Sequence, residues 1–190
     1  KKSLITETQE EAQEHRPLGK FSKWGDLGGQ MIPNALYVGG FLCHYLITNE
    51  STSKDRTIEM VKSTLYSGIV TNILKPMVGE RRPGNKNSKN SFPSGHATTA
   101  FAFAGTVLMN HDWYYGVAAL GLASFVGYSR INDNAHYLHD VMAGATIGLS
   151  YAIGIHYLTE KRSAQSKLAN LQLAPIFLDQ SYGIILDYRW

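Results

Sequence analysis

Three short stretches of this 190-residue chain hold residue types that bind anions and move protons. The first is Lys75, six residues, then Arg82-Pro83. A lysine offers a compact point charge, and an arginine offers a planar fork that fits two oxygens of one phosphate. The second is Pro93-Ser94-Gly95-His96, directly ahead of an apolar run. If that run is a helix, its first turn presents unpaired backbone N–H groups and partial positive charge, which together cradle an anion. Ser94 adds a hydroxyl, Gly95 lets the backbone come close, and His96 can give or take a proton. The third is Ser129-Arg130, five residues, His136, three residues, then Asp140. The i,i+4 spacing predicts that His136 and Asp140 share a helix face. A carboxylate there fixes the imidazole tautomer and supports its cation, freeing the other ring nitrogen to act as nucleophile or base. Taken singly, each stretch also has a plainer explanation: a solvated basic loop, a helix cap, a surface ion pair.

The pattern predicts a mainly α frame for these groups. Residues 27–48 read as an apolar helix, irregular near Pro33. A polar linker follows, with Thr52 and Asp55 at capping-box spacing. Ile58, Val61, Leu65, Ile69, Ile73 and Leu74 recur at helical intervals, in a helix expected to end near Lys75-Pro76. Residues 79–93 are rich in Gly, Pro, Asn and Ser and read as a loop. Further helices are expected over 94–109, 113–128 and 136–158. Leu171–Leu178 and Ile184–Trp190 are strand-like around a turn, which predicts a short C-terminal β-hairpin. The expected organisation is a polar arm or surface helix over 1–22, a helical core over 23–160, and a linker with hairpin over 161–190.

Composition narrows the function classes. With 44% apolar and 17% charged residues, a disordered chain, a collagen-like chain and a highly charged coiled coil are excluded. Cys43 is the single cysteine, so neither an intrachain disulfide nor a cysteine-based zinc or iron–sulfur centre can form. No motif shows metal-ligand spacing, and no cofactor is expected. The net charge of +3 is too small to suggest a nucleic-acid partner. Residues 75–90, however, carry Lys75, Arg81, Arg82, Lys86 and Lys89 against Glu80 alone, which concentrates positive charge beside the first motif. His139 is expected to face away from His136. His15, His44, His111 and His156 read as structural or surface residues, and Cys43 as packing.

Taken together, Lys-x6-Arg-Pro, Pro-Ser-Gly-His and Ser-Arg-x5-His-x3-Asp, in this order and spacing, resemble the signature of the type-2 phosphatidic acid phosphatase superfamily. That superfamily also includes bacterial nonspecific acid phosphatases and vanadium haloperoxidases. The resemblance covers residues 75–140 and implies a helical bundle of about five to six helices with the active site at one end. It implies a metal-independent phosphatase acting on phosphate monoesters or diphosphates, including lipid phosphates, through a phosphohistidine. By the same resemblance His136 is the nucleophile, Asp140 orients it, and His96 is the acid–base partner. Lys75, Arg82, Ser94, Gly95 and Arg130 then bind the phosphoryl oxygens. The alternatives are a vanadate-dependent haloperoxidase and a non-catalytic phosphate-binding or assembly module.

Four stretches lack Asp, Glu, Lys and Arg: 27–49, 97–111, 113–129 and 141–159. A bilayer span needs roughly 20 predominantly apolar residues, and 141–159 comes nearest to that. Mean hydropathy is −0.18, low for a chain that crosses a bilayer several times. The expectation is a water-soluble helical core, which the resemblance to the family's soluble bacterial members places in the periplasm, soluble or peripheral to a membrane, with an integral inner-membrane protein as the alternative. Expected partners are a phosphorylated small molecule or lipid phosphate, with peripheral membrane contact and homo-oligomer formation left open.

Overall fold

The computed structural model describes residues 14–169, 171–178 and 181–188, with side chains through Gln165. The expected arm over 1–22 lies mostly outside the described residues. The chain divides into two units, residues 1–156 and 157–190. In the first unit a 3-10 turn, Gly19–Phe21, leads into α1 (Ser22–Gly28), α2 (Ile32–Thr48), α3 (Ser51–Val78), α4 (Gly95–Asn110) and α5 (Trp113–Asn132). The last helix, α6 (Leu138–Ala169), begins in this unit and continues into the second. There, strands β1 (Leu171–Leu178) and β2 (Ser181–Tyr188) pair antiparallel, with Leu171 opposite Tyr188.

Several boundaries differ from expectation, each for a local reason. The helix expected over 27–48 is two helices with a break between Gly28 and Ile32. Pro33 sits in the first turn of α2, where its missing N–H would have had no partner anyway. Helix α3 starts after Glu50, whose side chain makes no capping bond, so Thr52 and Asp55 lie inside the helix and form no capping box. It also runs past Lys75-Pro76 to Val78 and stops at Gly79, whose φ of 63° is the left-handed conformation that glycine adopts most easily. Helix α6 begins at Leu138, two residues after His136.

The two faces of α3 decide how the bundle is built. Ser53, Thr57, Ser63, Ser67 and Thr71 are buried on the inner face. Thr57 Oγ1 donates to Ser53 O at 2.8 Å. Ser63 and Thr106 join through their hydroxyls at 2.9 Å, as do Thr71 and Thr98 at 3.0 Å. The apolar stripe Val61, Leu65, Ile69, Ile73 and Met77 points outward, 44 to 74% exposed. Small residues line the interior elsewhere too: Ala100, Ala104 and Val107 of α4 pack with Ala119, Ala123 and Val126 of α5. Two glycines bring α6 against α4. A Cβ on Gly144 would lie 2.5 Å from Ser94 O, and one on Gly148 would lie 2.4 Å from Thr98 O.

Candidate active site

The end of α3, the loop to α4, the start of α4, the end of α5 and the start of α6 meet at one end of the bundle. Lys75, in the last turn of α3, donates from Nζ to Asn90 O at 2.9 Å and Pro93 O at 2.8 Å. These bonds close the base of the loop and leave one ammonium proton. Arg82 donates from Nε to Asn90 Oδ1 at 2.9 Å, and its Nη groups take no hydrogen bond among the described residues. Gly84 N donates to Asn134 O at 2.8 Å, and a Cβ there would come within 2.7 Å of that oxygen. Glycine thus lets the Arg82 loop lie directly on the connection that carries His136.

The second motif forms the start of α4. Ser94 is fully buried at the N-cap, and its Oγ accepts from Ala97 N at 3.4 Å. The space over Gly95 is open, since a Cβ there would meet only Lys75 Cε at 4.0 Å. Ser94 N donates to Asp140 O at 3.0 Å, which joins the second motif to the third through the backbone.

His136 is 2% exposed and lies in the α5–α6 connection, held by a bond from its backbone N to Arg130 O at 3.2 Å. The expected helix-face pair is therefore corrected: only Asp140 is helical, in the first turn of α6. The two side chains still meet, with His136 Nδ1 3.4 Å from Asp140 Oδ2. Asp140 is fully buried, and its Oδ2 accepts from Ser91 Oγ at 2.6 Å and Tyr137 N at 2.9 Å. Two donors thus aim the carboxylate. Burial holds the His136 imidazole below its ordinary value, and the Arg82 and Lys75 cations push the same way against Asp140. Its neutral, nucleophilic form therefore prevails at neutral pH. His96 is likewise held low, first by burial and then by the Arg130 cation, against Asp26.

Arg130 is buried, and most of its donors are engaged. Nε donates to Ser129 Oγ at 3.2 Å, Nη1 to Asp26 Oδ1, and Nη2 to Asp133 Oδ2 at 3.3 Å and Ser22 O at 3.4 Å. His139, expected on a different face from His136, stands between Glu80 and the far oxygen of Asp140, at 2.9 and 3.2 Å. Glu80, His139 and Asp140 form a group of ligand-type side chains within 4.8 Å of one another, and their ion pairing accounts for the cluster.

All eight motif residues converge here. Sequence reasoning missed Ser91, Glu80, Asp26 and Asp133. Ser91 and Glu80 lie in or beside the motif-rich loop, where proximity was the available signal. Asp26 is 104 residues from Arg130 and carried none.

This arrangement defines a helical protein with cationic side chains and a carboxylate-backed histidine gathered at one end of the bundle. The PAP2 superfamily profile matches residues 56–164, more than half of the chain, and the chain belongs to that superfamily. A lipid A 1-phosphatase of Porphyromonas gingivalis is 35% identical over 136 residues, covering 69% of this chain and 30% of that protein. A lipid A 1-phosphatase of Rhizobium johnstonii is 30% identical over 105 residues, covering 48% and 43%. The chain thus spans less than half the length of these two relatives. The crystal structure of Aquifex aeolicus LpxE shares the fold, with a TM-score of 0.65 at 21% identity, over 81% of this chain and 95% of that one.

Proposed function

We propose that this protein is a phosphatase acting on a lipid phosphate through a phosphohistidine at His136. The observation that carries this reading is the buried His136, backed by Asp140, at a bundle end that also gathers Lys75, Arg82, Arg130 and the α4 N-terminus. With Nδ1 turned to Asp140, Nε2 attacks phosphorus. The bond from phosphorus to the leaving oxygen breaks, and His96 gives that oxygen its proton. Water then attacks the phosphohistidine, passing a proton to His96, and the N–P bond breaks to release phosphate. Lys75, Arg82, Arg130 and the Gly95 backbone neutralise the charge spread over the phosphoryl oxygens, the main need of phosphoryl transfer.

Three features support a lipid substrate. The matched relatives include lipid A 1-phosphatases. The outer faces of the bundle are apolar, with Leu36, Leu46 and Ile47 of α2 and Val117 and Leu122 of α5 exposed beside the α3 stripe. A cleft of about 230 Å³ between the α1–α2 connection, α3 and α4 brings Met31, Gly68 and Thr71 to Lys75 and His96, so an acyl-bearing phosphate can reach the site from the apolar side. In this reading the outer faces lie against acyl chains and the site sits at the membrane surface. Residues 138–165 form a helix long and apolar enough to cross a bilayer.

The test is phosphate release from lipid A, phosphatidic acid and p-nitrophenyl phosphate by detergent-solubilised protein with chelator present. Faster release from the long-chain substrates, abolished in His136→Ala, is expected. Equal turnover of short- and long-chain phosphates would remove the lipid assignment, and activity surviving in His136→Ala would remove the histidine mechanism.

A further inference from the structure

We propose that Asp26 is the positioning carboxylate of His96, holding its imidazole ring and its protonated form for the acid step. This rests on the reading of His96 as the acid–base group. Asp26 Oδ1 lies 3.2 Å from His96 Nε2 and accepts from Arg130 Nη1. One carboxylate oxygen thus joins the proton-handling histidine to a phosphate-binding arginine. Its other oxygen accepts from Gln30 Nε2 at 3.4 Å.

The helix that carries Asp26 is shaped for this placement. Asp26 is flanked by Gly25 and, three residues on, Gly29. A Cβ on Gly25 would lie 2.2 Å from Ser129 Oγ, and one on Gly29 would lie 2.7 Å from His96 Cβ. Both glycines remove atoms where α1 touches the site, so the helix can press its carboxylate between His96 and Arg130. Leu18 N donates to Asn132 Oδ1 at 3.1 Å and Arg130 Nη2 to Ser22 O at 3.4 Å, which tie the start of the segment to α5.

The electrostatics need such a partner. Burial disfavours the His96 cation, and the Arg130 and Arg82 cations add positive potential. Asp26 is the carboxylate that opposes them. With Nε2 facing Asp26 Oδ1 at 3.2 Å, Nδ1 is left for the substrate. Asp26 parallels Asp140, so each histidine has its own carboxylate.

The test compares wild type, Asp26→Asn and Asp26→Glu. Two readouts are used: kcat and KM across pH, and the His96 ring titration followed by NMR with labelled histidine. Thermal unfolding confirms that each variant folds. In Asp26→Asn we expect kcat to fall about 10- to 100-fold, the alkaline limb of kcat to move to lower pH, and the His96 titration to move down with it. Asp26→Glu should recover part of both. A loss of activity with no movement of limb or titration would mean a purely structural role and overturn the proposal. So would a lower KM and tighter orthophosphate binding at unchanged kcat, which would make Asp26 a competitor for the phosphate site. The NMR titration tests the pairing even if no tested phosphate is turned over, so failure of the functional reading and failure of the Asp26 assignment remain distinguishable.

Discussion

The long wall of α3 and the end of the bundle where α3 stops obey opposite rules. Along the wall, hydroxyl side chains face inward and saturate one another, while Val61, Leu65, Ile69 and Ile73 face outward. Small inward residues let helices approach closely, and on the proposed reading the outward apolar side chains meet lipid, which imposes no penalty on them. At the end, charged groups are drawn inward: Arg130, His136 and Asp140 are all buried. Arg130 and Asp140 are held by several hydrogen bonds, and His136 Nδ1 lies 3.4 Å from Asp140 Oδ2. The wall is therefore expected to accept exchange of one apolar side chain for another, and the end to accept almost none. Buried polar groups on the wall thus join helix to helix, whereas those at the end converge on the candidate site.

The contrast can be broken or sharpened by substitution. The largest effect is expected at the nucleophile: His136→Ala should lower kcat by about 10⁴-fold or more, measured as phosphate release. Arg82→Ala removes the cation whose Nη groups have no hydrogen-bond partner among the described residues, and should cost about 10²- to 10³-fold in kcat/KM, as loss of a transition-state donor does. Ser91→Ala removes one donor to Asp140 at roughly 1.5 kcal/mol, so kcat should fall about tenfold with KM little changed. On the wall the expected effects are on stability instead. Ser67→Leu on the inner face should destabilise by about 1–3 kcal/mol in detergent melts through overpacking, whereas Ile69→Ser on the outer face should stay within about 0.5 kcal/mol. A reversed order would mean that the outward stripe is packed against protein.

Acid should act on the end of the bundle and spare the wall. The folded state lowers the values of His136 and His96 from 6.5 and so favours their neutral forms. The stability this contributes is present above 6.5 and is lost as pH falls through the lowered folded values. The melting temperature should therefore drop below pH 6.5, and less steeply in His136→Gln. An equal slope in that variant would place the acid sensitivity elsewhere.

Much of the site was legible because each motif is local. Lys75 and Arg82 are separated by one loop, Ser94 and His96 share a helix start, and His136 and Asp140 flank another. Short separations leave few ways to arrange them, so residue type and spacing named the candidates, while their roles came from the family resemblance. The Asp26–His96 contact joins elements far apart in sequence and depends on Gly25 and Gly29 fitting against side chains no pattern names. The helices of the bundle were legible from periodicity, but the direction of the α3 stripe was not. A period of 3.6 shows that apolar residues share a face, not whether protein or lipid lies beyond it. The start of α6 was misplaced because the His136–Asp140 spacing suits a helix, yet a short connection before the first turn brings the same two side chains together.

The central claim is covalent attachment of phosphoryl to His136. The direct measurement is rapid quench of enzyme with a lipid phosphate under alkaline conditions, followed by mass-spectrometric mapping of the phosphorylated peptide in wild type and His96→Asn. The account predicts a phosphoryl group on the His136 ring that persists longer in His96→Asn, where water is no longer activated. Phosphoryl on another residue, or turnover with none trapped in either protein, would contradict it.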